Sequence, residues 1–297
     1  MTARDTVEAP GAWVAEAAQA AEWHSTDLQA QNITRKADPM PLQLAFDDTG
    51  TGPPVLILHG LLGSSSNWRS VARALAPQHR VLSVDLRNHG ASPWADSMAY
   101  ADMVADVLAL MQAQGLQQPV LVGHSMGGKT AMALALLQPS AISGLVVVDI
   151  APVAYADRMT HYVQAMGGID TAALASRTAA QSLLAALVPD PGVVGLLLQN
   201  LVSRNDHFAW RLNLAAIGMA VPQLSGFPPE LLGRRYSGRA TLIYGTRSDY
   251  VSPADAARFV ALFPKAHLQP IEGAGHWVHA DKPVEFIAAL KQAVAAA

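Results

Sequence analysis

Short apolar runs that stop at or just before a glycine or an aspartate recur along this chain and alternate with stretches of helical spacing. The runs are Val55–Leu58, Arg80–Val84, Val120–Val122, Leu145–Val148, Thr241–Tyr244 and His267–Ile271. They are too short for helices and apolar at successive positions, as strands buried on both faces must be. Between them, Asn67–Leu75, Met98–Gln114, Met126–Gln138 and Ala254–Leu262 carry apolar residues at helical intervals. A strand–helix–strand rhythm of this kind predicts the α/β class, as a doubly wound and mostly parallel sheet.

The rhythm lapses after Pro152. From there to about Tyr236 the chain is rich in Ala, Leu and Gln and predicts helices without a convincing strand. The expected organisation is therefore a discontinuous core of residues 41–151 and 236–297, interrupted by a helical cap of residues 152–235. Residues 1–40 form an N-terminal extension with a short helix expected around Trp13 to Ala21, closed by the breaker Pro39-Met40-Pro41. A last helix is expected from about Pro283 to Ala295.

Composition narrows the function. With 23 acidic against 20 basic residues and a formal charge of −3, the chain has no basic face for phosphates, which argues against a nucleic-acid partner. The absence of cysteine excludes disulfides, thiol nucleophiles and Cys-ligated metal centres. Acids at Glu8 and Glu16 interrupt any leader-like N-terminus, and no run approaches the ~18 apolar residues of a spanning helix. The expectation is a soluble, cytoplasmic protein with no membrane partner.

The most informative segment is Gly123-His124-Ser125-Met126-Gly127, a G-x-S-x-G pattern that follows a strand and opens a helix. Such a turn forces its central serine into a strained backbone and exposes the hydroxyl at the sheet's carboxyl edge. The bare pattern arises by chance in roughly one chain of this length in ten, so its strand–turn–helix context carries the weight. The same stretch also satisfies a phosphate loop, Gly123-x4-Gly128-Lys129-Thr130. That alternative, a nucleotide-binding protein, leaves His59-Gly60, Ser125 and His276 without a role.

Acyl transfer by a serine requires donors for the oxyanion, a base and a carboxylate. The loop His59-Gly60-Leu61-Leu62-Gly63 after the first run offers the Leu61 N–H, and the helix start after the serine offers the Met126 N–H. His276, in Gly273-Ala274-Gly275-His276-Trp277 after the last run, is the candidate base. His276 and His279 also have the spacing of a metal pair, but no carboxylate cluster or H-E-x-x-H motif accompanies them. Two carboxylates have the right order for the acid. Asp149 ends the run Val146-Val147-Val148, and Asp249 lies in the loop after Gly245. Asp149 is preferred because a strand holds a carboxylate more firmly than a loop. Asp249 is the alternative, and Ser248 is placed to assist.

His59–Trp68 (HGLLGSSSNW), Asp85–Pro93 (DLRNHGASP), Gly123–Met132 (GHSMGGKTAM), Val148–Tyr155 (VDIAPVAY), Trp210–Ile217 (WRLNLAAI) and Gly273–Pro283 (GAGHWVHADKP) together resemble the α/β-hydrolase superfamily. Within it they are most similar to small bacterial YbfF-type esterases and their mitochondrial abhydrolase relatives. The resemblance covers residues 42–295 and implies a cofactor-independent serine hydrolase acting on short acyl esters or thioesters. It places Ser125 as nucleophile and His276 as base, and it favours Asp149 as acid. Where most of these hydrolases carry the acid, this chain has Ser248. Trp277 beside the base, and Trp210 and Met219 from the cap, are expected as pocket walls. The rival from another class is a ligand receptor on the same scaffold with little turnover.

Overall fold

A computed structural model describes residues 40–205 and 207–297. The helix expected around Trp13 lies outside the described residues. Strands β1 (Phe46–Thr49), β2 (Pro54–Leu58), β3 (Arg80–Val84), β4 (Val120–His124) and β5 (Gly144–Val148) come first, with α1 (Arg69–Leu75), α2 (Tyr100–Ala113) and α3 (Met126–Leu137) between them. After β5 come α4 (Thr160–Gly167), α5 (Arg177–Leu187), α6 (Pro191–Leu198), β6 (Leu201–Arg204), β7 (His207–Trp210) and α7 (Leu214–Ser225). The chain then completes its sheet with β8 (Arg239–Gly245), α8 (Pro253–Leu262) and β9 (Ala266–Ile271), and ends in α9 (Val278–Asp281) and α10 (Pro283–Ala295).

Seven strands form one sheet in the order β1-β3-β2-β4-β5-β8-β9. All neighbours are parallel except β1, which runs antiparallel to β3 with Phe46 opposite Val84. Every residue of β4 and β5 is buried, which is why their sequences are apolar without alternation. Apolar layers cover both faces: Leu56, Leu121 and Leu145 belong to one, and Val55, Val122 and Val146 to the other.

This strand order places the functional loops. From β2 the chain moves outward to β3, then returns to the other side of β2 as β4. Loops leaving the carboxyl ends of strands at such a reversal diverge and leave a crevice between them. The loop after β2 carries Leu61, and the turn after β4 carries Ser125, so both border that crevice.

Two features depart from the sequence reading. β1, with the sequence FDDT, carries two exposed acids on a sheet edge and so has no apolar run to betray it. The segment between β5 and β8 is not wholly helical, because β6 and β7 pair as an antiparallel hairpin with Leu201 opposite Trp210 and Arg204 opposite His207. Asn205, at φ 54°, supplies the left-handed backbone that a tight hairpin needs. Four-residue strands of mixed polarity leave no periodic signal, and the asparagine in the turn was the available clue.

The helices of this segment have their own apolar centre, in which Met166, Leu184, Leu197 and Ile217 are fully buried together with Leu62 from the loop after β2. Side-chain caps begin α5, α6 and α7: Ser176 accepts from Ala179 N–H, Asp190 from Gly192 N–H, and Asn213 from Ala216 N–H. Among the described residues no helix is long and apolar enough to cross a membrane.

Candidate active site

Ser125 joins β4 to α3 at φ 52° and ψ −117°, a conformation that costs a non-glycine residue on the order of 1–3 kcal/mol. Its N–H donates to Val148 O at 3.1 Å and its carbonyl accepts from Lys129 N–H at 3.0 Å, so the neighbouring strand and helix hold the strained residue in place. Glycine is required on either side. A Cβ on Gly123 would lie 2.2 Å from Gly127 O, and one on Gly127 would lie 2.5 Å from both Leu58 O and His59 O. Strand and helix cross at backbone contact, and the serine between them borders a cavity that His276 also lines.

His276 Nδ1 lies 2.7 Å from Asp149 Oδ2. Asp149 is fully buried at the end of β5, where its N–H donates to Ile243 O of the adjoining β8. The same carboxylate accepts from Gly245 N–H at 2.9 Å and from the Ser248 hydroxyl. With three donors aimed at it, this buried charge has the partners that burial demands. Of the two carboxylates named from the sequence, Asp149 therefore meets the imidazole. Asp249 has an 80% exposed side chain and faces Arg158 across 3.5 Å. With Nδ1 committed to Asp149, proton exchange is left to Nε2.

Three residues around the imidazole were not assigned from the sequence. Tyr250 stacks on the His276 ring, 3.9 Å between centroids and 20° from parallel. The Tyr155 hydroxyl donates to Tyr250 O and accepts from Ala151 N–H, tying the loop after β8 to the end of β5. His124 contacts His276 directly: its Nε2 lies 3.0 Å from His276 O, and the two rings are 4.7 Å apart. Burial lowers the His124 ring well below the usual histidine range, so it is a neutral donor. Only its position next to Ser125 hinted at this.

The loop after β2 is shaped by two more neutral histidines. His59 Nδ1 meets Gly60 O at 2.8 Å and its Nε2 accepts from Leu86 N–H at 3.0 Å. His89 accepts from Leu62 N–H at 3.2 Å, and burial pushes its ring down to about 3. Among the described residues, neither Leu61 N–H nor Met126 N–H takes part in a backbone hydrogen bond. Met126 is the first residue of α3, where an N–H has no partner within the helix. Both residues line the cavity with Ser125.

That cavity measures about 210 Å³ and is walled chiefly by apolar side chains, including Met126, Ile150, Met159, Leu197 and Val221. Trp277 lines it. Trp210 does not, because its indole N–H donates to Met166 O inside the helical segment. Met219 is 62% exposed on the outer side of α7 and does not line the cavity either. An amphipathic helix was legible, but not which face its neighbours would cover.

Lys129 and Thr130, the pair that raised the phosphate-loop reading, are both engaged by protein. Lys129 Nζ donates to Val153 O in the loop after β5 and to Ser225 O and Gly226 O at the C-terminal end of α7, all at 2.6–2.9 Å. A helix C-terminus carries partial negative charge, so the ammonium is held there electrostatically as well. Thr130 Oγ1 donates to Met126 O. The segment is a tight strand–helix crossing with a lysine bolt, and neither side chain is free for a nucleotide.

The alpha/beta hydrolase fold family matches residues 53–186. The mouse (Mus musculus) sn-1-specific diacylglycerol lipase ABHD11 is 39% identical over 86% of this chain and 86% of its own. Esterase YbfF of Escherichia coli (strain K12) is 34% identical over 80% of this chain and 92% of its own. Among solved structures, a marine microorganism esterase superposes with a TM-score of 0.82 at 33% identity, covering 85% of this chain and 99% of that one.

Proposed function

The chain belongs to the α/β-hydrolase family and is a carboxylic ester hydrolase, and we propose that it cleaves short-chain acyl esters through an acyl-enzyme at Ser125. The observation that carries this reading is the buried Asp149 carboxylate on His276 Nδ1 at 2.7 Å, beside the cavity that Ser125 and His276 share.

In this mechanism His276 Nε2 takes the Ser125 proton as Oγ attacks the ester carbonyl. Asp149 keeps the imidazole in the required tautomer and stabilises the imidazolium that forms. The carbonyl oxygen becomes an oxyanion facing Leu61 N–H and Met126 N–H, donors worth about 3–4 kcal/mol each in sites of this kind. Collapse of the tetrahedral intermediate breaks the C–O bond, and His276 gives its proton to the departing alcohol. Water, deprotonated by the same histidine, then attacks the acyl-enzyme and releases the carboxylic acid and free Ser125. Thioesters fit the same sequence with a thiol as leaving group.

The cavity of about 210 Å³ is smaller than the ~300–1,000 Å³ that takes a drug-sized ligand, which favours acyl chains of about C2 to C6. A series of p-nitrophenyl esters tests this, and kcat/KM is expected to peak within that range. A maximum on long-chain triglyceride emulsions would reverse the assignment. Ser125→Ala is expected to lose all but a few per cent of turnover, because nucleophile, base and acid act as a unit. No turnover of any ester by the wild-type protein would favour the receptor reading.

A further inference from the structure

A second cleft, of about 790 Å³, borders the Gly60–Leu61 loop and shares Gly60, Leu61, His124, Leu196 and Trp277 with the acyl cavity. Its character is opposite. Asn67, Gln199, Arg69, Arg177 and Arg211 line it, with Asp281 as the single acid. Asp281 already accepts from Gly275 N–H at 2.7 Å.

Arg211 is the unusual member. It follows β7 directly, in the WRLNL stretch to which the reaction assigns no role. Its Nη2 donates to Ser64 Oγ at 2.9 Å, while its Nε is enclosed without an acceptor. It forms no ion pair with a described carboxylate. A half-buried guanidinium that uses one of five donors bears a desolvation cost that an incoming anion would offset. Arg177 spends its Nη1 and Nη2 on the carbonyls of Leu201 and Leu198 and forms no ion pair with a described carboxylate. The Arg211 charge also reaches the loop itself, where it helps hold His59 and His89 neutral.

We propose that this cleft receives the alcohol side of the ester and that this side carries a carboxylate or phosphate oxyanion bound by Arg211. The proposal rests on Ser125 being the nucleophile and adds the substrate class: an apolar short acyl group on one side of the scissile bond, an anion on the other. Arg211 is then a specificity residue as well as an anchor for the loop after β2.

The test compares three butanoate esters on the full chain: 2-methoxyethyl butanoate, butanoyloxyacetate and 2-(butanoyloxy)ethyl phosphate. The wild type is expected to favour at least one anionic ester over the neutral one by about tenfold in kcat/KM, the scale of one charge-assisted hydrogen bond. Which one it favours tells carboxylate from phosphate. Arg211→Gln is expected to erase most of that ratio through KM, and Arg211→Lys to keep part of it. About 0.5 M NaCl should shrink the ratio in the wild type, a reading that needs no variant to fold. A wild-type ratio of one, or an Arg211→Gln variant that slows all three esters equally, would show Arg211 to be an anchor alone. Ser125-dependent turnover of the neutral ester without anionic preference overturns this proposal only, whereas no Ser125-dependent turnover at all overturns the reading beneath it.

Discussion

Asp149 and Asp249 both stood in the right order along the chain, and burial separates them. Asp149 sits at the end of a fully buried strand with Gly245 N–H, Ser248 and His276 on its oxygens, whereas Asp249 faces solvent. Asp149→Asn should lower kcat on the order of 10⁴-fold by stranding His276 in the wrong tautomer, and Asp249→Asn should lower it little. Steady-state kinetics on the two variants check this, and collapse of the Asp249 variant alone would reverse the assignment. Lys129 gives a second prediction. Burial pushes its ammonium down to about 7, from 10.5 for an exposed lysine. Between those values the unfolded chain holds a proton that the folded chain has released, so the stability tied to this residue rises as pH rises from 7 to 10.5. The melting temperature of the wild type relative to Lys129→Met should therefore climb across that window. A pH-independent difference would mean that the three carbonyls keep the ammonium charged throughout.

At the scale of elements, the strand–turn–helix from β4 to α3 is the least tolerant part of the chain. Gly123→Ala would drive a methyl carbon into Gly127 O, a backbone atom that cannot rotate away. The expected cost is about 1–3 kcal/mol or more, seen as a fall of several degrees in melting temperature together with reduced kcat. Unchanged values for both would mean that the crossing can open. This element was legible because it combines a buried apolar run with glycines at fixed spacing. Arg80–Val84 and Pro283–Ala295 likewise appear with the bounds expected from the sequence. The β6–β7 hairpin and β1 were not legible, since four residues of mixed polarity carry no period and pairing alone makes them strands.

At the scale of the whole molecule, the site draws on loops distant in sequence: the one after β2, the turn after β4, the ends of β5 and β8, and the loop after β9. All of these lie between residues 40 and 297. A chain beginning at Met40 is therefore expected to keep its kcat on short esters, even if its melting temperature falls. A folded truncation without turnover would show that the first 39 residues contribute to the site. Local chemistry settled part of this protein in advance. Apolar runs buried on both faces demanded a covered parallel sheet, and glycines around Ser125 demanded a close crossing with an exposed hydroxyl. Side-chain identity also named His276 and two carboxylates. Only tertiary structure chose between those carboxylates, because the choice depends on β5 and β8 being neighbours, with Gly245 and Ser248 brought onto Asp149. It likewise decided that Trp210 would bind Met166 O rather than wall the cavity, and that Lys129 would bind carbonyls rather than a phosphate. Periodicity along a chain records which faces are buried, and says nothing of which distant segment does the burying.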